Sequence, residues 1–457
     1  MQHSAPDSKS DPSALLDRQT EFFRSGQTKE IAFRIERLKK LGSELERRSD
    51  DLLAALDADL GKPPVEAYTS EIYFVLSEIR LFVRKLKRWA RPRRVRSPFY
   101  HWPARSEIRL EPRGKALIVA PWNYPAQLSL GPLIAAVAAG NVVLLKPSEL
   151  APATAKFLAE LISSVFNPGH VAVIEGGPEI GEALMEHPFD HWFFTGSERV
   201  GRLYATAAAR HLAPITLELG GKCPCVVSDD VSLERTVERL LVAKFSNAGQ
   251  TWIAPDFVLI DESILQEFVD RMSSALSSCY ADSTDDLARI ASDHHYERLQ
   301  KLIPDDAVRI GADRREGLHL APTIIPDASW NSPAMQEEIF GPILPVIGYA
   351  DLDDALRHLS RLPAPLALSK DRSTLEKVAA ALPSGSVCFN DALKQATNLN
   401  LPFGGVGPSG MGRYRGRSGF ETFSYQRAVT RRSFARDPFL IKPPYEGKLE
   451  RLRKFLG

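Results

Sequence analysis

The segment from Phe194 to Gly201, Phe-Thr-Gly-Ser-Glu-Arg-Val-Gly, has residue types suited to binding a phosphate. It lies between a predicted strand and a predicted helix. Gly196 lets the backbone approach a phosphate closely, and the helix that starts near Ser197 presents free N–H groups at its first turn. The spacing is not the usual Gly-x-Gly-x-x-Gly fingerprint, so the residues alone also allow a plain tight turn.

Lys146 and Glu149 form a second candidate site for polar ligands. They follow a predicted buried strand, Asn-Val-Val-Leu-Leu from residue 141, and precede a predicted helix. Ligands of open α/β sheets bind outside the carboxyl ends of the strands, which is where these two side chains are expected. The alternative is a solvated lysine–glutamate pair at the start of a helix.

Four cysteines could supply a nucleophile or metal ligands: Cys223, Cys225, Cys279 and Cys388. The Cys-Pro-Cys run lacks the two-residue spacer of a zinc or redox pair, and no histidine cluster accompanies it, so no metal site is predicted. Cys225 begins a predicted buried strand, where a cysteine acts as a small apolar residue. Four cysteines in so long a chain are no disulfide framework and indicate a reducing, cytoplasmic compartment.

The elements that must position these residues change in style along the chain. Residues 13–94 predict helices, because apolar residues recur at intervals of three and four. Residues 95–112 are rich in proline and basic residues and then alternate, which predicts an exposed ribbon or edge strand. From Lys115 onward strands alternate with helices in two successive units. This pattern is typical of an α/β fold with parallel, doubly wound sheets.

Composition excludes several classes of protein. The 457 residues include 58 Lys and Arg against 57 Asp and Glu, so no global charge favours nucleic acid as a partner. Residues 1–12 are polar, carry no apolar signal region and predict a disordered tail. No uncharged apolar stretch of about 18 residues occurs, so no membrane span is predicted.

Six motifs, taken in order and including the two segments described above, resemble those of the aldehyde dehydrogenase superfamily, and of its class 3, fatty aldehyde dehydrogenase-like branch in particular. They are Pro-Trp-Asn-Tyr-Pro from Pro121, Lys-Pro-Ser-Glu from Lys146, the Phe194 segment, Leu-Glu-Leu-Gly-Gly-Lys from Leu217, Gln-Glu-Glu-Ile-Phe-Gly-Pro from Gln336, and the glycine-rich run from Leu401 to Gly412.

The resemblance implies an aldehyde-dehydrogenase-like fold of two doubly wound parallel-sheet domains and a small β oligomerisation ribbon. Residues 13–94 and 114–218 would bind the dinucleotide, and residues 219–392 would form the catalytic domain. Residues 95–113 and 393–430 would bridge subunits of a homodimer, and residues 431–457 would form a C-terminal tail. The cofactor would be NAD or NADP, and the residues implied to bind it are Trp122, Lys146, Glu149, Gly196, Ser197, Gly201, Glu338 and Phe340.

The family reaction assigns roles to three more positions. A cysteine thiolate attacks the aldehyde, and the side-chain amide of Asn123 and the backbone N–H at position 252 stabilise the oxyanion. Glu218 would activate the water that hydrolyses the thioester. The nucleophile position, however, holds Trp252, in Gly-Gln-Thr-Trp where the family has Gly-Gln-Thr-Cys. Tryptophan has no usable nucleophile.

Trp252 leaves several functions open. The chain is expected to be a catalytically impaired family member or pseudoenzyme that keeps the fold. The alternatives are an active NAD(P)-dependent dehydrogenase of fatty or medium-chain aldehydes whose residue 252 is a sequence error or an engineered change, a non-covalent oxidoreductase that uses Glu218, and a cofactor-binding partner of an active paralogue. Cys223 is the one cysteine considered as a substitute nucleophile.

Overall fold

The computed structural model describes residues 12–101, 103–283, 285–359, 366–434 and 442–456. Of the tail expected at residues 1–12, only Pro12 is therefore described, and it begins the first helix.

The α-helices and strands follow the chain in the order that the sequence predicts. The helices are α1 (Pro12–Arg24), α2 (Ile31–Arg47), α3 (Ser49–Leu60), α4 (Pro64–Ala67), α5 (Phe74–Trp89), α6 (Pro125–Ala139), α7 (Pro152–Val165), α8 (Pro178–Met185), α9 (Glu198–Arg210), α10 (Leu233–Phe245), α11 (Leu265–Tyr280), α12 (Asp293–Gln300), α13 (Pro333–Gln336), α14 (Leu352–His358), α15 (Arg372–Ala381), α16 (Lys394–Thr397), α17 (Gly416–Thr422) and α18 (Lys448–Leu456). The strands are β1 (Arg93–Val95), β2 (Ala104–Pro112), β3 (Lys115–Val119), β4 (Val142–Lys146), β5 (Val171–Val173), β6 (His191–Gly196), β7 (Ile215–Leu219), β8 (Pro224–Val227), β9 (Phe257–Asp261), β10 (Val308–Arg309), β11 (Thr323–Ile325), β12 (Ile343–Tyr349), β13 (Leu366–Leu368), β14 (Cys388–Phe389), β15 (Gly410–Met411) and β16 (Ser424–Arg432).

The first large sheet has six strands in the order β15-β7-β6-β3-β4-β5. Neighbouring strands within this sheet pair in parallel, apart from β15, which runs antiparallel to β7. Chain order reverses between β3 and β6, so the loops after these two strands face the crevice where such sheets bind ligands. The loop after β3 carries Asn123, and β6 ends at Gly196.

Both faces of this sheet are covered. Along β3, Ala116 and Ile118 pack into one apolar cluster, whereas Leu117 and Val119 pack into another on the opposite face. Successive side chains of a strand point to opposite faces, so a strand buried on both sides reads as a continuous apolar run. The helices on the two faces fix the ends of β3 and β6.

The second large sheet has seven strands in the order β10-β11-β12-β9-β8-β13-β14. It is parallel except for β10, which pairs antiparallel with β11 at one edge. Each large sheet thus matches the expected parallel, doubly wound type with one antiparallel edge strand added.

A small third sheet contains β1, β2 and β16, with β2 in the centre. Residues 95–112 were expected to form an exposed ribbon or edge strand, but β2 has a neighbour on both sides. β16 pairs with β2 along its whole length, and the paired residues Ser106 and Thr430 lie 324 residues apart in the sequence. The sheet starts at Arg93, two residues before the expected boundary at residue 95. Conversely, β15 lies in the segment expected to bridge subunits, yet it pairs with β7.

Candidate active site

Two loops and the end of one strand bring Asn123, Trp252 and Glu218 to the wall of one cavity of about 590 Å³. Asn123 follows β3, Glu218 lies near the end of β7, and Trp252 lies between α10 and β9. This volume is within the range of small-molecule sites, roughly 300–1,000 Å³. Much of the wall is apolar, and its apolar side chains include Phe74, Leu128, Val242, Ile253, Leu393 and Phe403.

Asn123 is buried, and both its side-chain amide and its backbone carbonyl form hydrogen bonds. Its side-chain amide donates to the Gln250 carbonyl at 2.9 Å, while its own backbone carbonyl accepts from Asn247 Nδ2 at 2.8 Å and from Lys62 Nζ at 3.1 Å. Lys62 in turn pairs with Glu71 at 2.6 Å. These contacts fix the amide on the cavity wall, where it could donate to an oxygen of a ligand.

A sharp turn before Trp252 sets where its side chain lies. Asn247 and Ala248 both adopt left-handed backbone conformations, with φ of 54° and 53°. Gly249 follows with φ of 73°, and a Cβ there would lie 2.3 Å from the Gly341 carbonyl oxygen, so only glycine fits. The turn leaves the half-buried Trp252 on the cavity wall, with its ring centroid 5.9 Å from that of Phe340.

The Glu218 carboxyl lies in surroundings that disfavour its charged form. Burial raises its pKa well above the usual range, although the positive charges of Arg415 and Arg413 oppose the shift. Its Oε1 atom has no hydrogen-bond partner in the described part of the chain. A raised pKa favours the protonated form of a carboxyl, which donates a hydrogen bond.

No cysteine is among the described residues that line the cavity. Cys223 is fully buried, its thiol donates to the Trp252 carbonyl at 3.0 Å, and burial raises its pKa well above the usual value. Cys225 and Cys388 are buried in β8 and β14, and Cys279 is exposed on α11. The burial predicted for Cys225 is confirmed, and Cys223 has neither the exposure nor the thiolate character that a nucleophile needs.

The phosphate-site candidates surround the start of α9. Ser197 caps the helix, with its hydroxyl accepting from the Val200 N–H at 3.4 Å. A Cβ at Gly201 would lie 2.6 Å from a methyl group of Leu219, so this glycine allows α9 to approach β7. The first turn of α9 therefore presents its N–H groups at the carboxyl edge of the sheet.

Lys146 and Glu149 contact each other. Lys146 Nζ lies 3.1 Å from Glu149 Oε2, and the lysine is buried while the glutamate side chain is 40% exposed. The two residues thus pair at the predicted ligand edge after β4, but the lysine is buried and not solvated as the alternative interpretation required. Both residues remain candidates for a ribose contact, because the exposed Glu149 carboxylate can reach a ligand at this edge.

Glu338 lies against the glycines that follow β7. It accepts a backbone hydrogen bond from Gly221, and burial, reinforced by the charge of Asp256, raises its pKa to about 8. A Cβ at Gly220 would come within 2.0 Å of a Glu338 oxygen, so the carboxyl rests directly on that backbone. This carboxyl is a candidate for binding a ribose hydroxyl.

Aromatic rings gather beside Glu338. Phe340 contacts Trp122 edge to face, with centroids 5.5 Å apart, and the ring of His295 lies 5.9 Å from that of Trp122. His295 Nε2 hydrogen-bonds the Phe340 carbonyl at 2.8 Å, and burial lowers the histidine pKa to about 4. Sequence analysis missed His295, since two adjacent histidines at a helix start do not indicate which ring is buried beside the site.

The family model described as aldehyde dehydrogenase family matches residues 7–429. The chain belongs to that family. Family membership supports the use of a nicotinamide cofactor, and it explains why the six motifs lie in the order found.

Two relatives and one solved aldehyde dehydrogenase structure are similar over nearly the whole chain. 4,4'-Diaponeurosporen-aldehyde dehydrogenase of Staphylococcus aureus is 41% identical over 95% of this chain and 96% of its own length. Aldehyde dehydrogenase family 3 member B3 of Mus musculus is 42% identical over 99% and 97%. The structure of Staphylococcus aureus AldH in its substrate-bound state has a TM-score of 0.95 and 39% identity, and covers 98% of this chain and 100% of that one.

These similarities confirm the predicted fold and the branch of the aldehyde dehydrogenase family to which the sequence pointed. In the described ranges, no helix of this aldehyde dehydrogenase is both long and apolar enough to cross a bilayer.

Proposed function

We propose that this chain is an aldehyde dehydrogenase family protein that binds a nicotinamide cofactor and an apolar, aldehyde-sized ligand but does not complete the covalent oxidation of its family. One observation carries the proposal: Trp252 lines the cavity beside Asn123 and Glu218, and none of the described lining residues is a cysteine. The fold and the cavity are present, but the cysteine sulfur that the family has at position 252 is not.

The residues present fit a nicotinamide dinucleotide. The exposed first turn of α9, capped by Ser197, suits the pyrophosphate. Lys146 and Glu149 suit the adenosine ribose or a 2′-phosphate, so both NAD and NADP are allowed. Glu338 would hold the nicotinamide ribose beside the ring of Phe340. The bound nicotinamide would supply the hydride acceptor.

With a tryptophan at position 252, the covalent step that precedes hydride transfer to the nicotinamide cannot occur. Without a thiolate no tetrahedral adduct forms, so Asn123 has no oxyanion to stabilise and Glu218 has no thioester to hydrolyse. Loss of a catalytic nucleophile lowers turnover by on the order of a millionfold in enzymes where it has been tested. Cys223 does not compensate, because its thiol is bonded to the Trp252 carbonyl and shielded from the cavity.

The test compares Trp252→Cys with Trp252→Ala, which enlarges the site without adding a nucleophile. Hexanal and octanal are assayed with NAD and NADP by absorbance of the reduced nicotinamide, and cofactor binding is measured by isothermal titration. We expect cofactor binding in all three proteins and aldehyde oxidation only in Trp252→Cys. Ordinary turnover of the unchanged protein, on the order of 1–1,000 per second, would overturn the proposal.

The persistence of Asn123, Glu218 and Glu338 favours one second candidate, an active NAD(P)-dependent dehydrogenase of apolar aldehydes whose residue 252 is natively cysteine. Resequencing the source gene separates the two, because a cysteine codon at that position makes Trp252→Cys the native enzyme.

We also propose a homodimer. The outer edge of β16 has no strand partner among the described residues, and its nine residues are largely exposed. Such an edge commonly pairs with another chain. Light scattering after size exclusion is expected to give twice the chain mass of 50.7 kDa; the monomer mass would contradict this.

A further inference from the structure

A buried arginine on the cavity wall has no role in the chemistry described so far. Arg415 is 5% exposed and lines the same cavity as Glu218 and Trp252. Its Nε and Nη1 atoms have no hydrogen-bond partner in the described part of the chain. Guanidinium groups are rarely buried unless paired, so these idle donors require an explanation.

The backbone holds Arg415 in place at some cost. Its φ is 77°, a value that a non-glycine residue with a long side chain seldom adopts. Residues in such conformations persist where the surroundings over-determine them, and they cluster at ligand clamps. Here the following residue, Gly416, donates its N–H to Glu78 Oε1 at 3.1 Å, which anchors the segment from the other side.

Aromatic rings surround the guanidinium. Its central carbon lies 4.4 Å from the centroid of the Phe74 ring, 4.9 Å from that of Tyr414 and 5.4 Å from that of Phe403. Ring faces attract a cation but accept no strong hydrogen bond, so they orient the group and leave its N–H donors free.

Neither of the two carboxyls that face Arg415, those of Glu78 and Glu218, forms a salt bridge with it in the described part of the chain. Burial raises the pKa of both Glu78 and Glu218, although the charge of Arg415 acts in the opposite direction on each. Each carboxyl also keeps one oxygen without a partner, Oε2 of Glu78 and Oε1 of Glu218. The guanidinium on the cavity wall is therefore left without a carboxylate partner at hydrogen-bond distance of its Nε and Nη1 atoms.

We propose that the cavity binds the carboxylate of an apolar acid, with the guanidinium of Arg415 as its anion-binding group. A carboxylate offers two oxygens to the fork of N–H donors, and the apolar wall accepts the rest of the molecule. The proposal uses the same cavity as the proposed function but needs no covalent step, and it names the class of ligand that a chain without the nucleophile retains.

The test compares ligands of one length that differ in charge. Octanoate and 1-octanol are titrated calorimetrically into the unchanged protein, Arg415→Gln, Arg415→Lys and Lys394→Gln. Lys394 is the matched control, because it lines the same cavity but is exposed at its rim. We expect Arg415→Gln to weaken octanoate binding about 10- to 100-fold, the range for hydrogen bonds to charged groups. Arg415→Lys restores part of the loss, and 1-octanol binding and Lys394→Gln change by less than about threefold.

Three results would overturn the proposal: octanoate binding no tighter than 1-octanol in the unchanged protein, equal weakening of both ligands by Arg415→Gln, or an effect of Lys394→Gln as large as that of Arg415→Gln. If Arg415→Gln does not fold, comparing the affinities of octanoate and 1-octanol in the unchanged protein and in Arg415→Lys still tests the proposal. If Trp252→Cys is inactive but octanoate binding still depends on Arg415, the proposed function is refuted and the carboxylate proposal is not.

Discussion

The fully buried ion pair of Lys62 and Glu71 gives the sharpest prediction about what holds the site together. Both side chains are 0% exposed, and their nitrogen and oxygen lie 2.6 Å apart. The other carboxylate oxygen of Glu71 accepts the N–H groups of Ala126 and Gln127, each at 2.9 Å, at the start of α6. One carboxylate thus neutralises the lysine that holds Asn123 and also caps a helix.

Replacing Glu71 by alanine removes both functions together. The buried Lys62 ammonium loses its ion-pair partner, a change that costs about 3–5 kcal/mol where a buried pair loses one member. Loss of a helix cap costs about 0.5–2 kcal/mol by itself, which places the total toward the upper end of that range. The double replacement Lys62→Met with Glu71→Leu leaves no charge behind, so we expect it to be less destabilising than Glu71→Ala.

Urea unfolding followed by circular dichroism measures the difference, with an unchanged slope required for a valid comparison. The control is Arg271→Ala, which breaks a half-exposed pair with Glu267 on α11 and is expected to cost about 0.3–0.5 kcal/mol. The reasoning fails if Glu71→Ala is as mild as this control, or if the double variant is no more stable than Glu71→Ala.

Three further predictions follow from burial and close packing. Gly201→Ala puts a methyl against Leu219, so we expect a loss of about 1–3 kcal/mol in urea unfolding and weaker NAD binding; unchanged values for both would contradict the helix–strand approach. Because burial raises the pKa of Glu338 to about 8, the folded protein holds a proton that the unfolded chain releases above its usual pKa. Stability should therefore fall from about pH 5 to pH 8, and less so in Glu338→Gln; equal pH profiles would exclude the shift. A thiol reagent should label only Cys279 in the native protein and all four cysteines after unfolding; native labelling of Cys223 would contradict its burial.

The succession of strands and helices could be predicted from the sequence because each element is short-range in origin. The apolar run of β3 is continuous since both faces are buried, and α6 ends at Gly140, whose φ of 98° suits glycine. The position in a sheet of the ribbon predicted for residues 95–112 could not be derived in the same way. Whether β2 is central or at an edge depends on β16, which arrives from the far end of the chain.

Chemical identity is what the sequence by itself determined about the site: position 252 carries an indole and no sulfur, and the motifs around Asn123 and Glu218 are those of the family. Tertiary structure alone decided which groups are charged, paired or reachable, because desolvation and partners come from distant segments. It pairs Lys146 with Glu149, shields Cys223, and leaves Arg415 without a partner. Arg415 lies just beyond the glycine-rich run and was not singled out from the sequence, since its surroundings include Phe74 and Glu78 from a helix more than 300 residues earlier.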